Sequence, residues 1–282
     1  MKHFLVYVNR YKDKELLTAK RICDYLNRKG QHVTVKTVGN SGDQSGDSVS
    51  PDTDCIIVLG GDGTVLQAAR ETKQQQIPII GVNLGTLGYM TEIEPGSLEE
   101  ALERLVAGDY FQESRMMLNG KTYFLDGSVR EDWALNDIVL SRSGSLQIIQ
   151  FHIQVNGQFL NHYKADGMIV TTPTGSTGYN LSAGGPLVEP GAKLIMLTPI
   201  CPHSLNQRSI ILSPEDIIEI EIPRCGEGRE QTVEVNFDGG HMIPLTTGEK
   251  IRIARSDRVT EFIRLNQVSF LEVLHRKMQE KV

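Results

Sequence analysis

One short stretch constrains the fold more than any other. Cys55-Ile56-Ile57-Val58-Leu59 is continuously apolar, Gly60-Gly61-Asp62-Gly63-Thr64 follows, and Val65, Leu66, Ala68 and Ala69 open a helical pattern. An uninterrupted apolar run of this length is what a strand covered on both faces requires, because parallel sheets carry helices on each side. Strand, glycine turn and helix together make an α/β unit. Glycines let backbone N–H groups approach an anion closely, and the helix N-terminus adds partial positive charge. An acid among those donors would repel a phosphate. Its simplest role is to handle a proton beside a phosphate chain, as in a kinase acting on a hydroxyl. The alternative is a tight turn in which Asp62 only caps the helix.

The flanking segments repeat the alternation. Phe4 to Val8 predicts a strand. Lys14 to Arg28 carries Leu16, Ala19, Cys23 and Leu26 at helical spacing, with Gly30 as the stop. Val33, Val35 and Val38 suggest a second strand, residues 39–53 a polar and mobile loop, and Ile77 to Val82 another buried strand. Asn83-Leu84-Gly85-Thr86-Leu87-Gly88-Tyr89 then follows at a strand's carboxyl end, where ligands gather in open α/β sheets. Leu98, Ala101, Leu102, Leu105 and Val106 form a helical stripe ending at Gly108. After about residue 112 the period becomes two, as in Ile149-Phe151-Ile153-Val155, Ile218-Ile220-Ile222, Val233-Val235-Phe237 and Ile251-Ile253. That pattern means antiparallel strands with one wet face. Phe270 to Met278 reads as a closing helix. The expected domains are 1–112, α/β with a mostly parallel sheet, and 113–265, β-rich, with the closing helix in 266–282; the resemblance described below implies that this helix packs back on the first domain.

Two further groups carry polar chemistry. Asn136-Asp137 opens an apolar strand, where an amide and an acid can bond vicinal hydroxyls such as those of a ribose, or simply form a turn. Lys164-Ala165-Asp166-Gly167 precedes the strand Met168 to Val170. Thr172-Pro173-Thr174-Gly175-Ser176-Thr177-Gly178-Tyr179-Asn180-Leu181-Ser182 follows it. Pro173 and the glycines break regular structure there, leaving Thr174, Ser176, Thr177, Tyr179 and Ser182 as donors and acceptors.

Other classes fit poorly. Gly61, Gly63 and Leu66 miss the third glycine of a dinucleotide fingerprint, and the strand about 20 residues on ends in Asn83 instead of an acid. Gly120-Lys121-Thr122 ends like a P-loop, but Arg115 occupies its first glycine position. Ser176 lacks the spacing of a hydrolase nucleophile. No His or Cys cluster has zinc spacing, and the net charge of −6 argues against nucleic-acid or anionic-membrane surfaces. No stretch approaches the roughly 20 apolar residues of a membrane span. Cys23, Cys55, Cys201 and Cys225 show no paired spacing and are expected as buried free thiols in a reducing cytoplasm.

With these motifs in this order, the chain resembles the bacterial NAD kinases from about residue 4 to about residue 275. The likeness rests on Gly60 through Thr64, Asn83 through Tyr89, Arg115-Met116-Met117-Leu118, Asn136-Asp137 and Asp166-Gly167. It continues through Thr172 to Pro186, His203-Ser204-Leu205, Arg208 and Asp238-Gly239. It implies a sandwich-like second domain, a last helix returning to the first domain, and NAD held in the crevice between the domains. It implies Asp62 as base toward the adenosine ribose 2′-hydroxyl, with Gly61, Gly63, Thr64 and Asn83 lining that site. Asn136 and Asp137 would hold the adenosine end, near Ser176, Thr177, Gly178, Tyr179, Asn180, Leu181 and Ser182. Lys164, Asp166 and Tyr179 would belong to a part of the pocket that subunits share in a homodimer or homotetramer. ATP with Mg2+ would supply the phosphoryl group. Three positions depart from the family pattern: Gly178 where Ala is usual, Ser209 where Pro is common, and Gly240 where Gln is common. The rival readings are a lipid kinase of the diacylglycerol type, a sugar-phosphate kinase and a non-catalytic NAD(P)-binding sensor.

Overall fold

The computed structural model describes the chain apart from residues 40–43, 46–48, 73–74, 87, 145–147, 205–207, 225–229, 267 and 280–282, and the side chains of 44 and 45. Residues 40–43 and 46–48 of the expected 39–53 loop, together with Leu87, Leu205 and Cys225, lie outside the described residues. The chain forms two compact units. One comprises Met1–Ser114 and Thr260–Val282, the other Arg115–Val259.

The first unit starts with β1 (His3–Asn9), α1 (Leu17–Arg28), β2 (His32–Val38) and the two-residue β3 (Gln44–Ser45). It continues with β4 (Cys55–Gly60), α2 (Asp62–Glu71), β5 (Ile79–Asn83), α3 (Leu98–Ala107) and the start of β6 (Phe111–Tyr123). β1 pairs in parallel with β2 on one side and β4 on the other, and β4 pairs in parallel with β5. The chain thus winds outward in opposite directions from β1 and β4. Their carboxyl ends are the switch point where α/β sheets hold ligands. All six residues of β4 are buried, as the apolar run requires. Phe4, Val6, Val8, Ile57 and Leu59 pack with Ala19, Ile22 and Leu26 of α1 and Leu98, Leu102 and Leu105 of α3. Gly108, at φ 79°, ends α3 as the stripe predicted.

Helix α1 begins later than its periodicity suggested. The buried Asp13 carboxylate accepts the Thr18 and Ala19 N–H groups at 3.3 and 2.9 Å, which starts the helix at Leu17 and leaves Leu16 outside it. Ile22, not Cys23, is then the fully buried residue of the middle turn. The cysteines also differ from the uniform burial expected. Cys55 is buried, which pushes its thiol pKa up, whereas Cys23 is half-buried and Cys201 exposed. All three are free thiols.

The second unit contains most of β6, then β7 (Val129–Ala134), β8 (Asp137–Arg142), β9 (Ile149–Val155), β10 (Gln158–Ala165) and β11 (Gly167–Thr171). After these come α4 (Tyr179–Ser182), β12 (Ile195–Ile200), β13 (Ile210–Leu212), β14 (Ile218–Glu221), β15 (Thr232–Phe237), β16 (His241–Thr246) and most of β17 (Lys250–Arg264). One layer has the order β13-β12-β11-β8-β15-β16, antiparallel throughout. The other pairs β10, β9, β14 and β17 in antiparallel order. Ile138, Val170, Leu197 and Val235 of the first layer share one core with Phe151, Ile153, Ile220 and Ile253 of the second. This is the sandwich arrangement, and the period-two sequence reflects it. At Thr260, within β17, the chain re-enters the first unit, whose last described element is α5 (Phe270–Gln279). No described helix is long and apolar enough to cross a membrane.

Candidate active site

Three loops meet at the carboxyl ends of β1, β4 and β5. Gly60 ends β4, and Asp62 is the first residue of α2. A Cβ at Gly60 would run into the Thr64 side chain. The buried Thr64 hydroxyl accepts a hydrogen bond from Asn9 Nδ2 at 3.2 Å, joining the end of β1 to the turn. Leu84 N–H donates to the Gly60 carbonyl at 2.9 Å, joining the loop after β5. Asn83 Oδ1 accepts the Gly85 N–H at 3.1 Å. Gly61, Asp62, Gly63, Thr64 and Asn83 are therefore gathered in one place.

The Asp62 carboxylate does not cap α2. Gly61 occupies the cap position, with no side-chain bond to the helix. The carboxylate turns instead toward the loop after β5, where Tyr89 N–H donates to Oδ2 at 2.8 Å and Met90 N–H to Oδ1 at 3.0 Å. This overturns the capping alternative, because two aligned main-chain donors outcompete the helix end. A Cβ at Gly88 would collide with Oδ1, so glycine there is what lets the loop close on the acid. Each oxygen accepts one N–H, and a carboxylate has about four acceptor sites. Asp62 is thus fixed in orientation and still able to accept another hydrogen bond.

In the second unit, Asn136 and Asp137 lie at the start of β8. Asp238, in a turn with φ 49°, accepts N–H bonds from Leu135, Asn136 and Asp137 at 2.7, 2.8 and 3.1 Å. Asp137 is 6% exposed. Burial, and then the neighbouring Asp238 charge, raise its pKa from 3.8 to about 7. It can therefore offer an O–H donor or an acceptor near neutral pH. Asn136 is nearly buried, and its Oδ1 has no hydrogen-bond partner. An unsatisfied buried acceptor costs roughly 1–3 kcal/mol, which a ligand donor would recover. Gly178 stands beside this pair. A Cβ there would lie 3.3 Å from the Gly175 carbonyl oxygen and 3.4 Å from Asn136 Nδ2.

The row from Thr172 to Ser182 is less open than its composition suggested. It folds into a 3-10 turn, Thr174–Thr177, followed by the single-turn helix α4. The fully buried Ser176 hydroxyl donates to the Val188 carbonyl and accepts the Val188 N–H, both at 3.1 Å. Thr172 Oγ1 donates to the Leu135 carbonyl at 2.6 Å. Asn180 Nδ2 donates to the Pro186 carbonyl at 3.0 Å, and its Oδ1 accepts from the Thr198 hydroxyl at 2.7 Å. Ser209, one of the departures, places its hydroxyl 2.9 Å from that of Thr198 and extends the network. The buried Thr174 hydroxyl lies 3.4 Å from Arg115 Nη1. Ser176 and Asn180 therefore do not present free side chains, and for Ser176 this departs from its expected availability, because burial obliges them to bond internally. Thr177 and Gly178 are half-buried, whereas Tyr179, Leu181 and Ser182 are exposed. Lys164 is exposed at the end of β10, and its carbonyl accepts the His203 N–H at 2.8 Å. Asp166 lies 3.9 Å from the Arg142 guanidinium.

Sequence reasoning passed over Asn9, and although Gly88 and Asp238 lie in stretches that carry the likeness, it gave neither a role. Asp238-Gly239 is a turn signature, but only the fold shows which backbone its carboxylate serves.

Comparison with known proteins adds a second line of support. Residues 46–110 match the ATP-NAD kinase N-terminal domain and residues 135–265 the ATP-NAD kinase C-terminal domain. An NAD kinase of Lachnospira eligens is 45% identical over 99% of this chain and 100% of its own. One of Agathobacter rectalis is 44% identical over 99% of both. An NAD kinase from Archaeoglobus fulgidus, solved in complex with ATP, superposes with a TM-score of 0.77 at 28% identity, covering 97% of this chain and 99% of that one. The yeast NADH kinase solved with NADH has a TM-score of 0.87 at 24% identity, covering 100% of this chain and 88% of that one, and bears on the fold alone.

Proposed function

This chain belongs to the NAD kinase family, and we infer that it converts NAD to NADP by moving the terminal phosphoryl group of ATP to the 2′-hydroxyl of the adenosine ribose. Asp62 is the base in this reading. The observation that carries it is the Asp62 carboxylate, fixed by the Tyr89 and Met90 N–H groups in a glycine loop at the sheet's switch point. A ribose hydroxyl is a very weak acid, so its proton must leave as its oxygen attacks phosphorus. Asp62 accepts that proton. The O–P bond to the ribose forms as the bond from the γ-phosphorus to the ADP oxygen breaks. A positioned base contributes about 10²–10⁴ in rate. The rest comes from alignment and charge stabilisation, typical of phosphoryl transfer.

Gly61 and Gly63 bring main-chain N–H groups to the phosphates, Thr64, whose own N–H is spent on the Gly61 carbonyl at 2.9 Å, lies beside them, and Asn83 borders the same loop. Magnesium enters with ATP as part of the substrate, held by phosphate oxygens and water. Asn136 and Asp137 bind the adenosine end, where the unpartnered Asn136 Oδ1 suits an N–H or O–H donor. Thr177 and Gly178 border that group. Ser176 and Asn180 support it through their buried bonds, and the exposed Tyr179, Leu181, Ser182 and Lys164 with the half-buried Asp166 complete it in a homodimer or homotetramer. The enzyme acts in the cytoplasm, where its free thiols remain reduced.

The test is Asp62→Asn, which keeps size and removes the base. NADP formation from NAD and Mg·ATP should fall by about 10²–10⁴, with NAD affinity changed less than about threefold by calorimetry. An Asp62→Asn enzyme with near wild-type turnover would return Asp62 to a structural role.

A further inference from the structure

Residue 62 is held by residues 89 and 90, and these are gripped by the far end of the chain. After β17, Leu265 N–H and Asn266 N–H both donate to Glu92 Oε1, at 2.8 and 2.7 Å. The Arg104 guanidinium bonds the Leu265 carbonyl, and also Asn266 Oδ1 at 3.0 Å. Glu92 lies just two residues beyond Met90, so the segment entering α5 starts from a fixed point beside the acid loop. Helix α5 then brings two side chains to one ring. The Phe270 ring centroid lies 6.1 Å from that of Tyr89, and Lys277 Nζ lies 4.6 Å from the Tyr89 centroid. Positions seven apart share a helix face, so a single face of α5 makes both contacts. The adjoining face, one residue further round, is solvated, with Leu271 72% and Met278 69% exposed.

A ten-residue helix is marginal alone in water, and none of the described residues of α5 is fully buried. Its contacts with Tyr89 are therefore among those that hold it on the fold. The Tyr89 ring and the Tyr89 N–H belong to one residue. Holding the ring on α5 fixes the direction of the N–H, and with it one oxygen of Asp62.

We propose that α5 is a positioning element for Asp62, with Phe270 and Lys277 clamping Tyr89 so that the 88–90 backbone presents two N–H groups to the carboxylate. The proposal rests on the reading of Asp62 as base. Phe270 and Lys277 are positioning residues and need not touch either nucleotide.

The experiment compares Phe270→Ala, Phe270→Leu, Lys277→Met and Leu271→Ala in the full chain. It measures kcat, KM for NAD, Tm and hydrogen exchange at the Tyr89 and Met90 amides. Phe270→Ala should lower kcat by at least about tenfold with KM for NAD within about threefold, and should speed exchange at both amides by a similar factor. Lys277→Met should act in the same direction but less. Phe270→Leu should restore most of kcat, and Leu271→Ala should match the wild type. Tyr89→Leu combined with Phe270→Ala should be no worse than the worse single variant, because both cut one chain of contacts. Wild-type kcat and amide protection in Phe270→Ala, or an equal loss in Leu271→Ala, would overturn the proposal. Amide exchange reads the clamp without turnover. If Asp62→Asn stayed active, the base assignment would fail while faster exchange in Phe270→Ala still supported the clamp.

Discussion

Asp62 and Asp137 invite comparison, since each sits at a strand end among small residues and each belongs to the candidate site. Asp62 is half-buried, and both its oxygens are bonded by main-chain N–H groups. Asp137 is buried, and the nearest main-chain donors, at Leu135, Asn136 and Asp137, are all taken by Asp238. Asp137 is left facing another carboxylate, and its proton is retained up to about pH 7. The lesson is that backbone donors, more than residue type, decide what a carboxylate is. In one loop they orient an acid for use. In the other they are spent on a neighbour, and the remaining acid becomes a group that can hold a proton.

The largest effect that could break this comparison comes from two glycines packed beside the acids, Gly88 and Gly178. Gly88→Ala places a methyl group against Asp62 Oδ1 and must push the 88–90 loop away. NADP formation should fall by about 10–100-fold, equivalent to the loss of one or two charge-assisted hydrogen bonds. Gly178→Ala meets its neighbours at 3.3 and 3.4 Å, and KM for NAD should change less than about threefold. Steady-state kinetics on both variants would check this, and equal losses would erase the distinction between the two loops.

Asp137→Asn sharpens the comparison through stability. The folded state holds a proton on Asp137 between about pH 4 and about pH 7 that the unfolded state releases, so this residue's contribution falls as pH rises through that window. Above about pH 7 the penalty is complete, on the order of a few kcal/mol. Asp137→Asn should raise the melting temperature at pH 8, give little gain near pH 4, and flatten the profile between. Denaturation series across pH 4–8 measure it. A variant no more stable at pH 8 than the wild type would mean that the buried charge is compensated.

The smallest effect concerns the hydroxyl corner. Ser176→Ala leaves the Val188 N–H and carbonyl without their partner, costing about 1–3 kcal/mol. The midpoint of urea unfolding should fall accordingly, while KM for NAD at low temperature stays within about twofold. A large rise in KM without loss of stability would instead make the Ser176 hydroxyl a ligand contact.

Much of the fold is legible in short stretches. The Cys55–Leu59 run, the 98–108 stripe with Gly108, and the alternation at 149–155 each specify an element, because periodicity is a local property. The start of α1 is not legible in the periodicity, because Asp13, outside the periodic stretch, binds the first free N–H groups of the helix. The site was legible as a set of residues but not as a set of bonds. Asp62 reaches its donors across 27 and 28 positions, and Asp238 serves a backbone 101 to 103 positions away. Ser176 looked available for the same reason: nothing nearby in sequence indicates that Val188 will consume its hydroxyl.

Residue order alone settled the kinds of element in this chain, the glycine loop with its acid, and the family. These depend on spacing, glycine freedom and apolar pattern, all of which operate over a few residues. The tertiary structure decided which hydroxyls are spent, which carboxylate is oriented and which holds a proton, and that α5 reaches Tyr89. Those outcomes depend on burial and on competition for a limited number of backbone donors. A donor can be claimed by any residue that the fold brings within 3 Å, however distant it is along the chain.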